Sequence, residues 1–173
     1  MISEDKIELL RNKRVAIVGG SGFIGHNLAI KLASLGTKPY VIDSLQVNNI
    51  GYYTSGYITN PNSERYIGFL NERLDLLREF QVSISIIDAR DYHSLSRVIN
   101  EIKPDVVIHL AAVAHANRSN KDPFSTFDHS LRTIENVLDI IRDKDIHLIY
   151  FSSSMVYGNF DGQAVTEDRI CNP

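Results

Sequence analysis

The chain has 173 residues, 43% of them hydrophobic, which is enough for one well-buried domain and short for two. Its 18 basic and 21 acidic residues give a formal charge of -3 and are spread without long blocks, so neither a nucleic acid nor an anionic membrane has an electrostatic footprint here. A single cysteine, Cys171, excludes an intrachain disulfide, and no apolar run approaches the roughly 20 residues that span a bilayer. These features predict a soluble, cytoplasmic protein whose partners are small molecules or other proteins.

In chain order, residues 3 to 11 read as a short lead-in helix capped by Ser3. Arg14 to Val18 is a buried strand, and Phe23 to Leu35 is a helix with Phe23, Ile24, Leu28, Leu32 and Leu35 at helical spacing, ended by Gly36. Tyr40 to Ile42 makes a second strand that stops at Asp43. Residues 44 to 63 are polar and read as a long connection, uncommon unless it is functional or mobile. Glu64 to Phe80 regains helical period, Val82 to Ile87 is a third strand ending at Asp88, and Tyr92 to Ile102 is a helix closed by Pro104. Val106 to Leu110, a helix from about Pro123 to Arg142, and a strand from Ile146 to Phe151 complete the chain. Apolar strands alternating with amphipathic helices predict an α/β fold with a doubly wound parallel sheet covered on both faces, occupying residues 1 to 173 as one domain.

In such a sheet the chemistry sits at the carboxyl ends of the strands. Strand one ends in GGSGFIG, where Gly19, Gly22 and Gly25 give GxxGxxG and Gly20, Gly22 and Gly25 give GxGxxG. Between a strand and a helix these glycines let backbone N–H groups approach a diphosphate, with the helix dipole behind them. Strand two ends in Asp43, 18 residues after Gly25, placed to accept from adenosine ribose hydroxyls and to repel a 2′-phosphate, which favours NAD over NADP. A cap on the following turn is the competing reading. Asp88 either accepts from the adenine amino group or serves the local turn, and Asp91 fits an N-cap of the next helix equally well.

His109 lies inside an apolar run and reads as a buried core histidine. Ala111 and Ala112 are small enough for backbone to pass under a cofactor, or simply pack closely. His115, Asn117 and Arg118 face either a substrate or water, and His109, His115 and Cys171 form no metal-binding spacing. Strand five ends in FSSSMVYG, hydroxyls that are able to bond a substrate alcohol or carbonyl. There is no G-x-S-x-G elbow to support a hydrolase.

VGGSGFIGHNL, VID, IIDARD, KPDVVIHLAA and FSSSMVYG, in this order and spacing, resemble the extended short-chain dehydrogenase/reductase family, in particular its NAD-dependent nucleotide-sugar epimerase/dehydratase branch. The resemblance covers essentially the whole chain and implies a Rossmann fold. It implies that Gly19, Gly22, Phe23, Ile24 and Gly25 hold the cofactor diphosphate, Asp43 the adenosine ribose, Asp88 and Ala89 the adenine, while Leu110, Ala111 and Ala112 run along the cofactor. Ser153, four residues before Tyr157, falls where the family places its catalytic Ser or Thr. The family's dehydratases follow that residue with an Asp-Glu pair; Ser154 and Met155 stand here, which favours epimerisation or simple hydride transfer over loss of water. The family's helix Asn after strand four corresponds to Ser130.

The family's general base is a Tyr in a Tyr-x-x-x-Lys pair, in which the Lys lowers the Tyr pKa. None of the eight tyrosines is followed four places on by Lys. The chain therefore reads as the N-terminal portion of an epimerase, retaining the dinucleotide pocket and expected to be inactive alone. An absent lobe would bind the nucleotide sugar, and a homodimer is an option the resemblance leaves open. An NAD-linked reductase or dehydrogenase of the same family, and a noncatalytic nucleotide-binding module, are the alternatives.

Overall fold

The computed structural model describes residues 4–46, 50, 61–113 and 121–173. Five strands, β1 (Arg14–Val18), β2 (Lys38–Asp43), β3 (Ser83–Ile86), β4 (Val106–His109) and β5 (His147–Tyr150), alternate with helices α1 (Glu4–Leu10), α2 (Phe23–Ser34), α3 (Ser63–Glu79), α4 (Tyr92–Ile102) and α5 (Pro123–Ile141). All pairings are parallel and the order is β3-β2-β1-β4-β5. The order reverses direction between β1 and β4, so the crevice above those two strands is the switch point at which ligands bind in open α/β sheets.

Strand β1 shows why the sheet must be covered on both sides. Successive side chains point to opposite faces. Ala16 and Val18 accordingly join a core with Leu95, Val98 and Ile99 of α4 and Val137, Ile140 and Ile141 of α5. Val15 and Ile17 join a second core with Ala29 and Leu32 of α2 and Leu77 of α3. The predicted elements are all present, with ends that differ by one or two residues, and the proposed Ser3 cap lies outside the described residues.

Two regions stay exposed. At β5, an edge strand, Ile149, Tyr150 and the following Phe151 stay exposed. On α2 the buried residues are Gly25, His26, Ala29 and Leu32, whereas Phe23 is 71% and Ile24 55% exposed. These two belong to the first turn of the helix, above the crevice, and contribute nothing to the core.

His109 is the buried core histidine that its apolar run predicts, only 1% exposed. Thr133 of α5 donates its hydroxyl proton to the His129 carbonyl at 2.9 Å, so its oxygen accepts from His109 Nε2 at 3.2 Å. Burial pushes the imidazole pKa down from 6.5 to about 4. A histidine held neutral in the folded state, while the unfolded chain takes up a proton, stabilises the fold above pH 6.5 and loses that contribution as pH falls toward 4. The expected size is about 3 kcal/mol. Chemical denaturation of wild type and His109→Leu across this range should show the wild type losing it and the variant having a flatter profile; parallel profiles would refute the assignment.

Candidate functional site

The turn from β1 into α2 is built of backbone packed against backbone. Gly19 has φ +81°, and a Cβ there would lie 2.7 Å from the Ala111 nitrogen and 2.9 Å from the Leu110 carbonyl carbon. The first glycine thus touches the chain leaving β4, and the two sides of the switch point meet. A Cβ at Gly25 would sit 2.6 Å from Gly20 Cα and 2.8 Å from the Gly19 oxygen. That contact seats the first turn of α2 directly on the loop, and the helix starts from Gly22, which has no side chain to cap it. Gly22 itself has room, its nearest neighbour being the Gly19 oxygen at 3.3 Å. Beneath the first turn, buried His26 donates from Nδ1 to the Gly22 carbonyl at 2.9 Å.

Asp43 closes the same loop from the β2 side. Its Oδ2 accepts from the Ser21 N–H at 2.9 Å and its Oδ1 from the Leu45 N–H at 2.8 Å. Burial pushes its pKa up, opposed by those two backbone donors. Asp43 thus caps the local turn, and its carboxylate retains lone pairs that the cap does not use. Its contact with Ser21 ties the end of β2 to the glycine turn 22 residues earlier.

At the end of β3, Asp88 is gripped by Arg90, which donates from Nε at 3.0 Å to Oδ1 and from Nη2 at 2.6 Å to Oδ2. The same guanidinium donates from Nη1 to Asp128 of α5 at 2.7 Å, and Arg132 donates to the other oxygen of Asp128 at 2.9 Å. Arg90 beside it holds the Asp88 carboxyl below its usual range. This network, together with Asn136 donating to the Ala89 and Arg90 carbonyls at 2.9 and 3.0 Å, clamps the β3 terminus to α5. Asp91 is the N-cap of α4, accepting from the His93 and Ser94 N–H groups. Ala89 is buried in the core next to this clamp.

Leu110, Ala111 and Ala112 leave the end of β4, the first two half-buried and Ala112 exposed. Ser130, in place of the family's Asn, accepts from the Val113 N–H at 3.2 Å and steadies this segment. His115, Asn117 and Arg118 lie outside the described residues, as does most of the 44–63 connection. Beyond β5, the chain enters a 3-10 turn, Ser154–Tyr157, which sequence periodicity misses because one turn is too short to show a period. Ser153 is its N-cap, accepting from the Met155 N–H at 3.2 Å, and its hydroxyl is exposed.

The described residues contain no cluster of metal-ligating side chains and no helix long and apolar enough to cross a membrane. A shallow cleft of about 240 Å³ between Arg14, Lys103, Asp105 and Lys144 lies at the opposite, amino-terminal end of the strands, where Arg14 is paired with Asp105.

The comparisons agree with this geometry. The family model described as the NAD dependent epimerase/dehydratase family matches residues 15–173. Protein CapI of Staphylococcus aureus is 32% identical, the match covering 92% of this chain and 44% of that protein. A UDP-glucose 4-epimerase of Mycoplasma genitalium is 30% identical over 91% of this chain and 41% of its own length. Among solved structures, UDP-glucose 4-epimerase from Brucella ovis in complex with NAD superposes with a TM-score of 0.68 at 25% identity, over 93% of this chain and 42% of that one. The chain thus spans less than half the length of the curated relatives it matches. With the glycine turn, the acidic strand ends and the 3-2-1-4-5 sheet in place, this chain belongs to the NAD-dependent epimerase/dehydratase family.

Proposed function

We propose that this chain is the NAD-binding portion of a cytoplasmic nucleotide-sugar epimerase, a single domain over residues 1 to 173. The observation that carries the reading is the cradle at the switch point, where Gly19 meets Leu110 and Ala111 at distances no side chain would permit and Asp43 holds the turn from behind. The residues fit the dinucleotide. Gly19, Gly22 and Gly25 keep the cradle free of side chains, and the N–H groups of Phe23 and Ile24, at the open end of α2, would face the diphosphate. Asp43 would take the ribose hydroxyls, Asp88 and Ala89 would border the adenine, and Leu110, Ala111 and Ala112 would line the path toward the nicotinamide. When bound, NAD supplies a reversible hydride acceptor.

Ser153 would hold the sugar hydroxyl that loses its proton and so orient the carbinol carbon toward the cofactor. Its position at the end of β5, with an exposed hydroxyl already used as a cap acceptor, leaves the O–H free to rotate toward a ligand. A UDP-sugar substrate is supported by the named activity of the relatives, and retention of the keto intermediate until the hydride returns to its other face would make the reaction an isomerisation. The chain alone is not expected to turn over such a substrate, since it carries no Tyr-x-x-x-Lys pair. Pairing with a second copy along α5 is supported by Phe124, Phe127, Leu131 and Leu138, exposed along that helix.

The test is conversion of UDP-glucose to UDP-galactose by the whole protein with NAD in catalytic amount only. Product without accumulation of NADH supports the epimerase; stoichiometric NADH would make it a dehydrogenase instead. Ser153→Ala is expected to lower kcat about 100-fold or more with NAD affinity unchanged, within the range for a positioned proton-transfer group.

A further inference from the structure

We propose that Arg73 of α3 is a further cofactor-binding residue, its guanidinium standing beside the glycine cradle to supply positive charge to the cofactor diphosphate. The inference rests on the NAD reading above. Phe23 opens α2 directly after the glycine turn, and its ring is not packed into the core. Arg73, fifty positions later and on the helix interposed between β2 and β3, places its guanidinium carbon 5.8 Å from the centre of that ring. The contact is of cation–π type and holds a long, flexible side chain over the first turn of α2.

Arg14, Arg78, Arg90, Arg132 and Arg142 are each engaged by a carboxylate, as in the 2.7 Å pair of Arg78 with Asp75 one turn further along α3. Among the described residues no carboxylate lies within ion-pair distance of Arg73, although it is half-buried. Arg65 and Arg97 also lack a carboxylate partner among those residues but are exposed. The adenosine end of the crevice, in contrast, carries Asp43 and Asp88. A diphosphate entering here brings two negative charges toward the half-buried Asp43 carboxylate, and the glycine turn answers them only with backbone dipoles. An arginine fork a side-chain's swing away is the group that planar recognition of phosphate oxygens calls for.

The experiment compares wild type with Arg73→Gln, Arg73→Lys and, as a control on the same helix, Arg78→Gln. Affinities for NAD, ADP-ribose and adenosine are measured at low and high salt. Loss of a charge-assisted contact predicts that Arg73→Gln weakens NAD and ADP-ribose about tenfold or more at low salt. Adenosine, which has no phosphate, should be unaffected, Arg73→Lys should recover most of the loss, and the salt dependence of NAD binding should shrink in Arg73→Gln. Unchanged NAD affinity in Arg73→Gln overturns the proposal. So does equal weakening of all three ligands, which would mean that Arg73 only supports the Phe23 ring. In both cases wild-type NAD binding, and the reading it rests on, would stand. A wild-type chain that binds neither NAD nor ADP-ribose would remove that reading and this inference with it.

Discussion

Replacing Gly19 by alanine is expected to destabilise the chain by about 2–4 kcal/mol, the sum of a left-handed backbone cost and an overpacking cost, and to abolish NAD binding. The backbone at this residue has φ +81°, and the added carbon would fall 2.7 and 2.9 Å from the nitrogen and Cα of Ala111. Those neighbours are main chain, hydrogen-bonded into the sheet through the Leu110 N–H to the Val18 carbonyl at 2.8 Å, so they cannot rotate aside as a side-chain tip would. Relief requires β4 to separate from β1 at the switch point, which is the ligand crevice itself. Gly22→Ala is the informative control. Its added carbon meets only the Gly19 oxygen at 3.3 Å and its φ is -68°, so the fold should tolerate it. Urea denaturation of both variants, with NAD titrated by calorimetry, decides the matter. Near-equal stability losses would show that the close approach of Gly19 to Ala111 does not hold the two strands together.

The contrast between these glycines also shows what could be read from the sequence. GxxGxxG after an apolar strand announces a turn of close backbone contacts, and the apolar runs of β1, β2 and β4 announce a central parallel sheet, because both signals are local. Helical periodicity groups Phe23 and Ile24 with Leu28 and Leu32, although the first two stand exposed. It counts angle around the helix axis and carries no information on where the sheet beneath stops, so a first turn standing above the crevice reads like any other. The contacts that shape the site join residues far apart in the chain: Arg90 to Asp128 over 38 positions, Asn136 to Ala89 over 47, and Arg73 to Phe23 over 50. Each partner is an ordinary surface residue until the topology brings the two together. DARD could be read as a candidate adenine rim and a helix cap; the arginine within it, which fixes Asp88 to α5, gave no signal of its own.

Asp43→Asn is expected to weaken NAD binding roughly 10-fold to 100-fold, the range for losing a hydrogen bond to a charged group, while NADP gains relative to NAD. The carboxylate already accepts from the Ser21 and Leu45 N–H groups, so an amide in its place offers one oxygen to two donors and turns its NH₂ on the other. The remaining lone pairs, which would receive the ribose hydroxyls, are lost or misdirected, and so is the negative charge that repels a 2′-phosphate. The pH dependence separates this role from a purely structural cap. Burial raises the Asp43 pKa in the folded chain, so the group favours the fold below its ordinary value of 3.8 and loses that contribution as pH rises through the raised value. Asp88 behaves in the opposite sense: its pKa is lowered by Arg90, and its contribution is present above 3.8 and lost as pH falls through the folded value. Ribose hydroxyls would donate more strongly to the ionised Asp43 than to its neutral form, so on this reading bound NAD draws that pKa back down and affinity falls as acid protonates the free site. Wild type should therefore bind NAD progressively more weakly on acidification through the Asp43 titration, with a proton taken up on release, and Asp43→Asn should lack this limb. Calorimetry in buffers of different ionisation enthalpy reads that proton directly. An unchanged NADP to NAD ratio in Asp43→Asn, or an acid limb that survives the substitution, would reduce Asp43 to a cap on the turn.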